Sequence, residues 1–225
     1  AAPVKKGQSG LISYVGTVES YKGVGLLLAA SRVILSEFPR AHLNIIGEGA
    51  DRKYYQHLVT RWGLGNQVTF TGRLAPDLLQ NHYEQSEIVV APSVWIEPFG
   101  RTVAEAMARG KVVVTTNAGG PSEMVKDGER GLLFKRNDVN SLREKLKLAL
   151  TLNQEQKNII GLAARQWAAD NLNKDNIAKQ HETFYQQCLD LRLWQMVHAS
   201  QEGAHGQEPE DRRRGGDHGT AGSEL

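Results

Sequence analysis

The sequence predicts an α/β fold with a doubly wound parallel sheet. Short apolar runs recur along the chain with helical patterns of roughly a dozen residues between them, the signature of βαβ units. Two of the runs, Glu87–Ala91 and Lys111–Thr116, are apolar without polar alternation, as strands covered on both faces are. Right-handed crossovers then put helices on both faces of the sheet.

The elements follow in order. Leu11–Gly16 reads as a buried strand. Gly23–Glu37 carries Leu26, Leu27, Ala30, Val33 and Ile34 at helical spacing, and Pro39 ends it. Leu43–Gly47 is a second strand, and Asp51–Gly63 a helix with Asp51 at its N-cap. Gln67–Thr71 is a short strand. Pro76–Gln85 is a helix with proline in its first turn, where the missing N–H costs nothing. Glu87–Ala91 stops at Pro92, and Gly100–Gly110 is helical. After the Lys111–Thr116 strand come a short helix at Pro121–Lys126 and an edge strand at Gly131–Phe134. Ser141–Leu150, Gln154–Asn171 and Lys174–Leu193 read as helices. Residues 1–10 are expected to be a linker and residues 11–195 one domain. From Gln201 onward the only large apolar residue is Leu225, so residues 196–225 are expected to be a disordered tail.

Composition narrows the function classes. The 225 residues are 40% hydrophobic, ordinary for a chain with a single core. With 27 basic and 25 acidic residues the net charge is +2, which gives no footprint for nucleic acid. Cys188 is the only cysteine, so neither an intrachain disulfide nor a cysteine-rich metal site is possible. No apolar run is long enough to span a bilayer. The Arg212–Arg214 run sits among acids and reads as solvated.

In open α/β sheets ligands bind beyond the carboxyl ends of the strands. After the first strand, Gly16, Thr17 and then Lys22 lead into a helix; a turn with a solvated lysine would look the same. After the Glu87 strand come Glu97, Pro98, Phe99 and Gly100, with Arg101, Thr102, Val103 and Glu105 opening a helix. Free N–H groups at that helix start suit phosphates, and two carboxylates suit hydroxyls. Together they suit a sugar nucleotide. For Glu105, dipole complementation explains an acid near a helix start equally well. Gly119-Gly120 and Gly47-Glu48-Gly49 offer weaker glycine signals at the same edge.

Glu97-Pro98-Phe99-Gly100 through Glu105-Ala106-Met107-Ala108 and Gly110 resembles the E-x7-E signature of retaining, family 4 glycosyltransferases of the GT-B fold. Val15-Gly16, Lys22-Gly23, Ile46-Gly47, Gly49, Val68, Phe70, Gly72, Pro92-Ser93, Gly119-Gly120 and Gly131-Leu132-Leu133 match in the same order. The resemblance covers residues 11–189 and implies the Rossmann-like C-terminal, donor-binding half of such an enzyme. It implies that Glu97 is the catalytic-centre carboxylate facing the donor sugar. Phe99, Gly100, Arg101, Thr102 and Val103 would line sugar and diphosphate, and Glu105 would accept from the ribose hydroxyls. Lys22 would neutralise the diphosphate beside Gly16, Thr17 and Gly47, with Arg73 and Leu74 by the base. No metal or other cofactor is implied. The donor is a nucleoside diphosphate sugar, with UDP, GDP and ADP all open. The partners would be an acceptor glycan, lipid or small molecule and an N-terminal domain without which turnover is poor. The setting would be cytoplasmic, with peripheral attachment at the inner membrane surface left open.

One departure stands out. The family usually has arginine directly after the first loop glycine, and here the residue is Thr17, which lacks the fork and the charge. That favours a rival in which the chain is a non-catalytic nucleotide-binding module of the same fold; Glu97 and Glu105 oppose it. A dinucleotide oxidoreductase would need G-x-G-x-x-G after the first strand, and Gly16-Thr17-Val18 breaks it. No G-x-S-x-G, H-E-x-x-H or Walker lysine is present.

Overall fold

A computed structural model describes residues 6–204. The start of the expected linker and residues 205–225 of the expected tail, Arg212–Arg214 included, lie outside the described residues. The strands are β1 (Leu11–Val15), β2 (His42–Ile46), β3 (Val68–Gly72), β4 (Ile88–Ala91), β5 (Val112–Thr116) and β6 (Leu132–Phe134). The helices are α1 (Val24–Glu37), α2 (Arg52–Arg61), α3 (Pro76–Gln85), α4 (Arg101–Ala108), α5 (Gly120–Met124), α6 (Val139–Thr151), α7 (Gln154–Asn171) and α8 (Lys174–Ala204). A 3-10 turn at Ser20–Lys22 precedes α1.

The strands form one sheet in the order β3-β2-β1-β4-β5-β6, and every neighbouring pair is parallel. This is the doubly wound sheet the strand pattern predicts. Strand alternation sorts the side chains. Ile12, Leu43, Ile45, Ile88, Val90, Val112 and Val114 face one core, shared with Leu27, Leu28 and Ile34 of α1 and Leu142 and Leu146 of α6. Val89 and Val113 face the other, with Tyr83 of α3, Val103 and Met107 of α4, and Ala164 and Ala168 of α7. The α4 and α7 helices approach closely because Gly161 leaves room: a Cβ there would overlap the Gly110 carbonyl.

At the amino edge of the sheet Lys157 Nζ pairs with Glu87 Oε1 at 3.0 Å, both 9% exposed, and Glu87 Oε2 accepts the Gly10 N–H. Each carboxylate oxygen thus has a donor, which offsets the cost of burying the charge.

Asp51 departs from expectation. It precedes α2, but its side chain makes no cap there; Oδ2 accepts the Ser20 N–H at 2.7 Å instead. The charge therefore fastens the loop after β1 to the loop after β2. The compact unit of strands and helices runs to Asn176, and a second unit begins at Ile177. Taken alone, that second unit is the body of α8, which passes both Leu193 and the expected boundary at 195 to reach Ala204. No described helix is long and apolar enough to cross a membrane.

Candidate functional site

The strand order reverses between β1 and β4, so the loops after these two strands diverge and leave a crevice at the carboxyl edge. A cavity of about 290 Å³ lies there. Gly16, Thr17, Lys22, Glu97, Gly100, Arg101, Thr102 and Val103 all contribute to its lining. Residues 75 apart in sequence meet directly: Lys22 Nζ donates to Glu97 Oε1 at 2.7 Å.

Backbone ties explain how the loops hold this shape. Gly23 has φ +78°, and a Cβ there would overlap the Pro92 carbonyl, so only glycine lets the β1 loop reach the β4 loop. The Tyr21 carbonyl accepts the N–H groups of Val94 (3.0 Å) and Trp95 (3.3 Å). Gly120 N–H donates to the Glu97 carbonyl at 2.8 Å, which brings in the loop after β5. Arg136, beyond β6, donates to the Val94 carbonyl at 3.3 Å.

The lysine is also framed by rings. Lys22 Nζ lies 5.4 Å from the Tyr21 ring centroid and 5.6 Å from that of Trp95, and the two rings meet edge to face. Beneath the cavity the Tyr14 hydroxyl donates to the Thr17 carbonyl at 2.6 Å. Burial, reinforced by the Glu97 charge, pushes the Tyr14 phenol well above its ordinary value, so it stays a donor.

Helix α4 begins at Arg101, directly after Gly100 with φ +84°. The N–H groups of Arg101 and Thr102 open the helix and point out of its start. Val103 differs: its N–H donates to the Gly100 carbonyl at 3.0 Å, so Val103 supplies wall rather than a donor. Thr102 Oγ1 donates to the Val15 carbonyl, tying α4 to β1. Glu105 sits one turn on. Its Oε2 accepts the Tyr83 hydroxyl at 2.8 Å, and its Oε1 is 3.6 Å from Arg101 Nε.

The remaining sequence-predicted residues, like Glu105, are outside the cavity's lining. Gly47 packs against Gly16: a Cβ at Gly47 would overlap the Gly16 carbonyl. Phe99, next in sequence to the lining residue Gly100, is exposed. Arg73 is exposed and Leu74 half-buried on the loop after β3, two strands from β1. Sequence reasoning missed Tyr14, Tyr83, Arg136 and Pro121, which lines the cavity. Among the described residues, no group of three or more His, Cys, Asp or Glu side chains could hold a metal ion.

The family model for glycosyl transferases group 1 matches residues 1–167. The chain belongs to this family. An uncharacterized glycosyltransferase of Methanocaldococcus jannaschii is 31% identical over 181 residues, covering 80% of this chain and 46% of that protein. The HepE protein of Anabaena, solved in complex with UDP, is 25% identical with a TM-score of 0.69, over 80% of this chain and 49% of that one. The C-terminal domain of a glycosyl transferase group 1 family protein, LpcC of Francisella tularensis, superimposes with a TM-score of 0.65 at 23% identity. The match covers 76% of this chain and 89% of that domain. The group 1 chain described here therefore has the Rossmann-like fold of a GT-B glycosyltransferase's C-terminal half. It spans about half the length of the M. jannaschii and Anabaena proteins.

Proposed function

We propose that this chain is the donor-binding half of a retaining glycosyltransferase, moving a sugar from a nucleoside diphosphate to an acceptor hydroxyl. The observation that carries the proposal is the Lys22–Glu97 contact at 2.7 Å beside the open N-terminus of α4. A cation and helix N–H groups suit a diphosphate, and a carboxylate at the same point suits a sugar carbon gaining positive charge.

In this mechanism the bond between the anomeric carbon and the diphosphate oxygen breaks, and the electron pair leaves with the nucleotide. Lys22 and the N–H groups of Arg101 and Thr102 stabilise that growing charge. Glu97 lies beside the oxocarbenium-like sugar. The acceptor oxygen bonds to the anomeric carbon on the face the diphosphate leaves, and its proton passes to the departing phosphate oxygen. Glu105 receives the ribose hydroxyls, and Arg73 and Leu74 flank the base. Gly16 and Thr17 line the diphosphate and Phe99 the sugar.

The UDP complex of the Anabaena relative supports a nucleotide donor. The acceptor belongs, in this proposal, to a separate N-terminal half, so the isolated chain binds donor and transfers poorly. A cytoplasmic setting goes with the same proposal. Calorimetric titration with UDP, GDP and ADP and their hexose conjugates tests it. Saturable binding of one nucleotide supports it, and binding of none overturns it.

A further inference from the structure

Tyr83 is 1% exposed, on α3, in the core between the sheet and α4. It belongs to one buried apolar cluster with Val89, Val103 and Met107, a setting that suits phenylalanine as well. A hydroxyl buried there costs free energy unless it is bonded. The bond it makes is to Glu105 Oε2, at 2.8 Å, and its oxygen also sits against the Thr102 side chain, which lines the cavity. The Tyr83 ring is itself held: the Arg109 guanidinium lies 4.9 Å from its centroid and donates to the Glu105 main-chain carbonyl at 2.8 Å.

The two oxygens of Glu105 are therefore unequal. Oε2 is fixed by a buried donor. Oε1 faces Arg101 at 3.6 Å, beyond hydrogen-bond range, so it keeps its capacity to accept. A carboxylate anchored by one oxygen loses little freedom when a ligand engages the other.

We propose that Tyr83 is a positioning residue for the donor ribose: its hydroxyl holds one oxygen of Glu105 so that the other is presented to the ribose hydroxyls. The inference rests on the reading of Glu105 as the ribose acceptor. Tyr83→Phe preserves the packing and releases Glu105 to turn into solvent with Arg101. The cost then falls on ligands that carry ribose hydroxyls and spares those that lack them.

The test is calorimetric titration of the full chain with UDP, GDP and ADP, each beside its 2′,3′-dideoxy counterpart. For the nucleotide that binds, Tyr83→Phe is expected to weaken the ribonucleotide about tenfold and the dideoxy form less than twofold. Equal weakening of both forms, or of neither, overturns the proposal, because a merely structural role would not distinguish them. In a Glu105→Ala background, Tyr83→Phe is expected to add no further loss for the ribonucleotide; a full additional tenfold loss also overturns it. Wild-type chain that binds ribo and dideoxy forms equally, or binds no nucleotide, sinks the role of Glu105 itself, and this inference with it.

Discussion

Lys22 Nζ donates to Glu97 Oε1 at 2.7 Å, joining the loop after β1 to the loop after β4. An ammonium has three N–H donors and Glu97 takes one, so two remain for a diphosphate. The same contact sets where the two proposed charges stand. Lys22→Met should weaken nucleoside diphosphate binding ten- to a hundredfold, given about 1.5–3 kcal/mol for hydrogen bonds to charged groups. Titration at two salt concentrations checks this: the variant should also show a shallower salt dependence. Unchanged affinity would remove Lys22 from the diphosphate.

In the proposed mechanism Glu97 acts in the step rather than in binding. In an enzyme assembled with an acceptor-binding half, Glu97→Gln should cut kcat at least about a hundredfold, the scale of losing one electrostatic stabiliser of a transition state. Nucleotide affinity should stay within about threefold. Transfer at the wild-type rate would leave Glu97 without a catalytic role.

Thr17 lines the cavity with its side chain exposed, so a longer residue there meets solvent rather than core. Thr17→Arg should raise nucleoside diphosphate affinity about three- to tenfold, since a guanidinium adds charge and a bidentate fork. Competition titration against the parent chain measures it, and weaker binding would place the diphosphate away from residue 17.

Gly23 combines φ +78° with contact against the Pro92 carbonyl. Gly23→Ala should cost about 2–4 kcal/mol, from backbone strain plus steric overlap. Urea unfolding reads the loss directly. A cost below about 1 kcal/mol would mean the β1 loop can shift freely.

Burial raises the phenols of Tyr14 and Tyr83 above their ordinary value of 10.0, with Glu97 adding to the first and Glu105 to the second. The unfolded chain deprotonates first, so their contribution is complete below pH 10.0 and is lost as pH rises beyond it. Unfolding free energy should therefore fall steadily above pH 10.0, and Tyr83→Phe should reduce that slope. An identical slope in the variant would mean Tyr83 titrates alike folded and unfolded.

Much of the fold was legible because its signals are local. Ile88–Val90 and Val112–Val114 announce strands covered on both faces, and Pro39, Pro92 and Gly110 punctuate the elements. The cavity was legible in outline because topology alone sends the loops after β1 and β4 to one crevice. What escaped depended on distant neighbours. Tyr83 and Glu105 are 22 residues apart, and no spacing rule pairs a buried phenol with a carboxylate on the next helix but for the packing of α3 against α4. Arg136 and Val94 are 42 apart. Asp51 stands where a cap belongs, yet its carboxylate accepts the N–H of Ser20, 31 residues earlier. Alternation and capping rules describe one element at a time, and these contacts belong to two.

The distance between Lys22 and Glu97 along the chain also has a kinetic meaning. The β1 strand cannot gain its β4 neighbour until some 75 further residues exist, and at about 5–20 residues per second synthesis takes roughly 4–15 s to supply them. Until then the β1 loop has no opposite wall. A nucleotide held as proposed would tighten a finished chain by mass action, and would find no complete site on a nascent chain that stops short of β4.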